Sequence, residues 1–185
     1  MRIIEWNELI QHKIIDAPSA MTIGVFDGVH RGHRALIQKI TGSGLYPAAV
    51  SFRISPRHFF EGKNYKGDIL PFEKKLMIFE EMGVAAVILI DFSHEFSKTS
   101  GRAFLKTLQM NGNMRYLAVG QGFRCGFRNE LDVNAIKKLN EEAGVTTEII
   151  LPVLEDGFPV SSSRIREEIA AGNMEKAAAL LGRRI

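Results

Sequence analysis

With 185 residues, 45% of them hydrophobic and 24% charged, the chain suits one domain with a substantial core and is neither disordered nor fibrous in composition. A net charge of +3 suits an anionic small-molecule ligand, and the Lys and Arg residues form no clustered footprint that would point to nucleic acid. The single cysteine, Cys125, excludes an internal disulfide and a cysteine-built zinc site, and there is neither a membrane-length apolar run nor a leader-like N-terminus. A cytoplasmic enzyme or binding protein with no membrane or nucleic-acid partner is expected.

Residues 1–18 carry apolar side chains at Ile3, Ile4, Trp6, Leu9, Ile10, Ile14 and Ile15, enough for a short strand and a helical turn serving as scaffold. Residues 21–26 read as a buried parallel strand, and Leu36, Ile37 and Ile40 space a helix over 32–40. A second strand, 48–52, follows through a right-handed crossover. The stretch 53–70 reads as a long loop whose Arg53, Arg57, His58 and Lys63 either hold a phosphorylated acceptor or are simply solvated. Pro71 opens a helix to Met82, 85–90 form a third strand, and the loop 91–96, with His94 at the surface, leaves its C-terminal end. Then come helix 100–108, strand 115–119, loop 120–126, helix 132–143 capped by Asp132, strand 146–151, a helix begun by Ser161, and a last helix over 174–181. Five strands alternating with helices predict a doubly wound, Rossmann-like α/β fold: a parallel sheet with helices on both faces, in a single domain 1–185.

Chemistry concentrates at two helix starts. From Thr22 to His33 the chain passes from strand through a glycine-rich turn into a helix; Gly24, Gly28 and Gly32 allow tight turns and close backbone approach, and the helix start offers N–H groups to an anion. His30 and His33, three apart, share one face of that first turn. Ser161-Ser162-Ser163 begins another helix, with Arg166 three residues beyond Ser163. A cap alone needs one serine, so this start also points to phosphate.

These residues resemble the H-x-G-H signature of the nucleotidyltransferase superfamily, and the string from Gly24 through Phe26-Asp27-Gly28 to His30 and His33 is similar to the FMN adenylyltransferase module of bacterial FAD synthetases. The segment 160–166 resembles that family's second signature, with Ser163 where threonine is usual. The resemblance implies transfer of AMP from magnesium-bound ATP to FMN, giving FAD and pyrophosphate. It implies that His30 and His33 stabilise the transition state and departing pyrophosphate, that Ser162, Ser163 and Arg166 grip the β- and γ-phosphates, and that Gly24 and Phe26 lie along the nucleotide. Asp27 either orients the turn or influences magnesium, and Gly32 belongs to the same motif. Phe52, Pro56, Phe123 and Arg124 match positions that contact ligand, and Asp91 or Phe96 could line the site; no metal-ligating set is expected.

The sequence departs from that family in two places. The F-x-P-H-P motif keeps Phe52 and Pro56 but loses its first proline and histidine, and in 120–126 Gly122 replaces a polar residue and Cys125 an aromatic one, leaving Phe123, Arg124 and Gly126. Cys125 reads as packing rather than nucleophile. Leu181-Gly182-Arg183 is similar to the sequence after which bifunctional members begin a riboflavin kinase domain; no such domain is expected here. Three functions stay open: FMN adenylyltransferase, a transferase with another phosphorylated acceptor, or a flavin- or adenine-nucleotide-binding regulatory module without turnover. His33→Ala is expected to lower transfer by orders of magnitude and leave the fold intact.

Overall fold

A computed structural model describes residues 1–65 and 67–184; Lys66, within the 53–70 stretch, and Ile185, the last residue of the expected domain, lie outside the described residues. The chain opens with β1 (Arg2–Glu5), α1 (Trp6–Leu9), β2 (Ser19–Ile23), α2 (Arg31–Thr41) and β3 (Tyr46–Phe52). Next come α3 (Pro56–Glu61), a 3-10 turn at Gly62–Asn64, α4 (Phe72–Glu81), β4 (Ala86–Ile90), α5 (His94–Ser97), α6 (Gly101–Met110) and β5 (Met114–Gly120). A small antiparallel pair, β6 (Arg124–Cys125) and β7 (Leu131–Asp132), precedes α7 (Val133–Glu142) and β8 (Thr146–Ile150). The hairpin of β9 (Leu154–Glu155) and β10 (Phe158–Pro159) leads to α8 (Ser162–Ala170) and α9 (Met174–Leu181).

The main sheet is parallel throughout, in the order β1-β4-β3-β2-β5-β8. Its winding reverses between β2 and β5, so the ligand crevice of such a fold lies beyond the C-terminal ends of these two strands. The doubly wound prediction holds, but the sheet has six strands rather than five. The extra one is β1, which takes the open edge of β4 in register from Arg2 opposite Ala86 to Glu5 opposite Leu89.

Both faces of the sheet are covered, as strict alternation along each strand requires. Met21, Ile23, Val50, Ile88, Leu117 and Val119 join Trp6, Leu9, Phe104, Leu108 and Ile136 in one core, while Ala49, Val87 and Leu89 pack on the other face with Phe26, Ile37 and Phe79. Under α2 the sheet presents Ala20, Ala49 and Ala118, small residues that let the helix sit close, with Ile37 and Ile40 fully buried. A larger side chain at Ala49 would drive that helix off the sheet, at about 1–3 kcal/mol.

Three local expectations change. The second sheet strand ends at Ile23 rather than 26, since Phe26 turns to φ +54°, which no strand residue adopts. The 53–70 stretch contains α3, begun by Ser55, whose Oγ accepts the Arg57 N–H at 3.3 Å, with Pro56 at its first position. The 91–96 loop likewise gives way to α5, which is capped by Ser93 and runs on to Ser97.

Candidate active site

Beyond β2 the backbone takes left-handed conformations at Phe26 (φ +54°), Gly28 (φ +81°) and Val29 (φ +38°) before α2 begins. For Phe and Val this is strained, and such strain persists only where the surroundings over-determine it. Gly24 is required by contact: a Cβ there would meet the Phe26 ring at 3.2 Å. His30 is the N-cap of α2, its Nδ1 accepting the His33 N–H at 3.3 Å, and the two imidazoles stack 3.6 Å apart and 18° from parallel. Because Nδ1 of His30 accepts, a neutral His30 carries its proton on Nε2 and donates from there.

Both rings are held neutral. Burial, then the Arg183 charge, pulls His30 down to about 4; burial, then His30 and Lys75, holds His33 well below the usual histidine range. His33 Nδ1 is buried without a partner among the described residues. Phe26 is fully buried, with its ring edge-on to His33 at 5.2 Å and to Phe79 at 5.3 Å. The Phe26 side chain therefore supports His33 from the core. Removing the His33 imidazole would leave a gap against Phe26 and His30, so the activity of His33→Ala has to be read beside its stability.

The second motif docks onto the first. Ser162 Oγ donates to the Asp27 carbonyl at 2.9 Å, and the Arg166 guanidinium pairs with the Asp27 carboxylate, whose other oxygen accepts the Ile69 N–H at 2.7 Å. Burial raises the Asp27 carboxyl, and the Ile69 hydrogen bond and Arg166 pull it back. Asp27 thus ties the turn to Ile69 and Arg166. Ser161 caps α8 through the Arg164 N–H, and Ser163 is exposed on its first turn. The three serines have separate duties, with only the Ser163 hydroxyl lacking a protein partner among the described residues; Arg166 keeps a buried Nη1 that also has none. Gly32 lies where the motifs meet, a Cβ there coming within 3.2 Å of the His30 ring and 3.7 Å of the Val160 carbonyl.

Two cations at this loop, Lys75 buried and Arg183 half-buried, escaped the sequence reading. Lys75, on α4, gives its Nζ to the Phe52 carbonyl (2.9 Å), Ser51 Oγ (3.2 Å) and the Val25 carbonyl (3.4 Å), satisfying groups at the ends of adjacent strands. Burial lowers its ammonium to about 8. Arg183 reaches the Gly28 and Val29 carbonyls at 2.6 and 3.1 Å. Lys75 gave little signal, since α4 also carries Glu73, Lys74, Glu80 and Glu81; Arg183 carried none, because only the fold brings it to the loop.

A cavity of about 540 Å³ opens beside the loop. Gly24 and Val25 form one wall, Phe52, Phe92 and Phe96 another, and Phe123 and Arg124 a third. The structure thus gathers five predicted positions there, Gly24, Phe52, Pro56, Phe123 and Arg124, together with Phe96. Phe52, Phe92, Phe96, Phe59 and Phe60 make a chain of edge-to-face contacts at its rim, and Phe60 is 71% exposed. A Cβ on Gly122 would meet nothing within 4 Å. Cys125 packs against the main core and burial pushes its thiol up to about 12, which suits packing and not nucleophilic attack.

Among the described residues of 53–70, Arg53, Arg57, His58 and Lys63 do not gather for an acceptor phosphate. Arg53 is paired with Glu5 (2.5 Å) and Asp91 (3.1 Å), and Arg57 with Glu61 (2.7 Å), while His58 and Lys63 are exposed. Asp91 is thereby tied to Arg53.

The FAD synthetase family profile matches residues 12–164. The chain belongs to the FAD synthetase family. Over 179 residues it is 31% identical to the bifunctional riboflavin kinase/FMN adenylyltransferase of Escherichia coli (strain K12), covering 92% of this chain and 57% of that protein. The protein of the same description from Buchnera aphidicola subsp. Acyrthosiphon pisum is 28% identical over 176 residues, covering 92% and 56%. The chain spans little more than half the length of these relatives. In fold it is similar to a macrolide-efflux protein from Streptococcus pneumoniae (TM-score 0.85, 23% identity, 99% of this chain and 62% of that one). It is also similar to the pantothenate synthetase of Thermus thermophilus (TM-score 0.57, 14% identity, 97% and 80%).

Proposed function

We propose that this chain is an FMN adenylyltransferase, joining AMP from ATP to the phosphate of FMN. The observation that carries the reading is that Gly24 and Val25 belong both to the loop leading to His30 and His33 and to the wall of the aromatic cavity. A planar flavin suits a cavity of this size edged by phenylalanines, and its phosphate would then lie toward the loop. An FMN phosphate oxygen attacks the α-phosphorus of ATP, the bond from that phosphorus to the bridging oxygen breaks, and pyrophosphate departs with the electron pair. No covalent intermediate is needed. Positioning and neutralisation of oxyanion charge supply the rate.

In this reading the Nε2–H of His30, the N-terminus of α2, Ser163 and Arg166 face the polyphosphate, and His33 backs His30. A polyphosphate beside them favours the charged imidazole, raising both pKa values from their unliganded positions. Magnesium would arrive with the phosphates and neutralise part of their charge. Among the described residues no three His, Cys, Asp or Glu side chains gather to hold a metal, and Asp27 is occupied by Arg166 and Ile69, so its contacts would be chiefly phosphate and water. A cytoplasmic location is part of the same proposal; among the described residues no helix is long and apolar enough to cross a membrane.

Incubation with ATP, magnesium and FMN, followed by chromatography of the flavins, tests the reading, and FAD is the expected product. A second acceptor class is favoured by one observation, the open space at Gly122, and product from another phosphorylated acceptor but not from FMN would select it.

A further inference from the structure

The backbone from Phe26 to Val29 turns through strained conformations, so its peptide planes need external ties to stay in one orientation. Arg183 supplies two of them, 155 and 154 positions away in sequence. In a trans peptide the C=O and N–H point in opposite directions, so holding the Val29 carbonyl fixes the direction of the His30 N–H. Holding the Gly28 carbonyl fixes the Val29 N–H, which closes back on the Phe26 carbonyl at 3.1 Å. The guanidinium fork can engage both carbonyls in fixed geometry, which a single ammonium does less well.

The seat of Arg183 is built by α9. Leu180 and Leu181 are buried with Val160 and Ile165, the residues that carry the second motif, and Gly182 (φ +71°) then turns the chain toward the loop. A Cβ at Gly182 would meet Arg31 of α2 at 3.0 Å, so the turn lies directly on the start of the histidine helix. The apolar contacts of α9 hold the helix in place; the Arg183 side chain holds the loop peptides and, through its charge, also bears on the His30 ring.

We infer that Arg183 is a positioning residue for adenylyl transfer, fixing the Gly28–His30 peptides so that His30 meets the ATP phosphates in one register. This rests on the FMN adenylyltransferase reading above. Misplacing a catalytic group by about 1 Å can cost about 10²-fold in rate, and loosening this loop acts on turnover before it acts on flavin binding, because the cavity wall ends at Val25.

The test compares Arg183→Gln, Arg183→Lys and, as a neighbouring control, Arg184→Gln in the full chain, measuring kcat, KM for each substrate and amide hydrogen exchange. Arg183→Gln is expected to lower kcat by about 10- to 100-fold with KM for FMN within about twofold, and to speed exchange at the Val29 and His30 amides but not in β2 or β5. Arg183→Lys should fall between it and the unmodified protein, and Arg184→Gln should match the unmodified protein. Unmodified kcat in Arg183→Gln, an equal loss in Arg184→Gln, or faster exchange throughout the sheet would overturn the inference. Should Arg183→Gln fail to fold, Arg183→Lys decides: a lowered kcat with unchanged KM for FMN supports the role, and unmodified kcat refutes it. If the unmodified protein makes no FAD, the function reading fails, and exchange at Val29 and His30 still tells whether Arg183 fixes the loop.

Discussion

The wall of the crevice formed by residues 24–33 and the wall formed by Phe52, Phe92, Phe96 and Phe123 face the same space but are held in different ways. The first is a polar loop in strained backbone, tied down by Arg166 on Asp27, Ser162 on the Asp27 carbonyl, Lys75 on Val25 and Arg183 on Gly28 and Val29. The second is a set of aromatic edges with little hydrogen bonding, one of them mostly exposed. Fixed charge must be aimed, and aiming takes a network in which each member is itself held. A flat apolar ring needs shape, which phenylalanines supply without directional bonds. The loop should therefore tolerate little change, and the cavity a good deal.

The largest effect is expected at the loop. His33→Asn should lower FAD formation by about 10²–10⁴-fold, and because His33 is packed between Phe26 and His30 it should also lower the melting temperature, both read from one purified variant. A fully active His33→Asn would remove the histidine pair from the account. Asp27→Asn keeps an acceptor for Ile69 but breaks the pair with Arg166, leaving a partly buried guanidinium without its counter-charge; about 3–5 kcal/mol of stability should go, by denaturant titration.

Those two predictions show which part of the site could be seen in the sequence and which could not. The histidine spacing, the glycines and the serine-led helix are local, so the chain announces them. That Ser162 and Arg166 engage Asp27 is a consequence of packing between segments more than 130 residues apart, and that Phe26 is core follows from its contact with Phe79 on α4. Likewise β2, β3, β4, β5 and β8 follow from apolar runs and residues 1–18 offer a short strand, but a strand as short as β1 does not announce that it joins the sheet edge. Lys75 hides because one lysine in an amphipathic helix usually marks its solvated face; here the unpaired carbonyls at the ends of β2 and β3 draw it inward.

Acid should expose the same contrast. A histidine whose folded pKa lies below its unfolded value of about 6.5 stabilises fully above that value and loses its contribution as pH falls toward the folded one. With His30 near 4, stability should be level above pH 6.5 and decline below it by about 1.4 kcal/mol per pH unit for this group, seen as a falling unfolding midpoint. ATP should flatten the decline by favouring the charged ring. A midpoint independent of pH between 4 and 6.5 would mean that His30 is not buried as described.

The smallest effects belong to the cavity. Phe60→Ala and Gly122→Asn should each change stability by no more than about 0.5 kcal/mol, because Phe60 is exposed and Gly122 opens on free space. Both should move KM for FMN by a few-fold while leaving KM for ATP unchanged. A shift in KM for ATP instead would place the acceptor on the wrong wall.

The central claim, that one loop serves both an ATP phosphate site and a flavin cavity, is tested most directly by the stoichiometry of pyrophosphate to FAD with magnesium-ATP, with and without FMN. One pyrophosphate per FAD, and none without FMN, is the predicted result. Pyrophosphate released without FMN, or FMN bound in the cavity with no FAD formed, would contradict it.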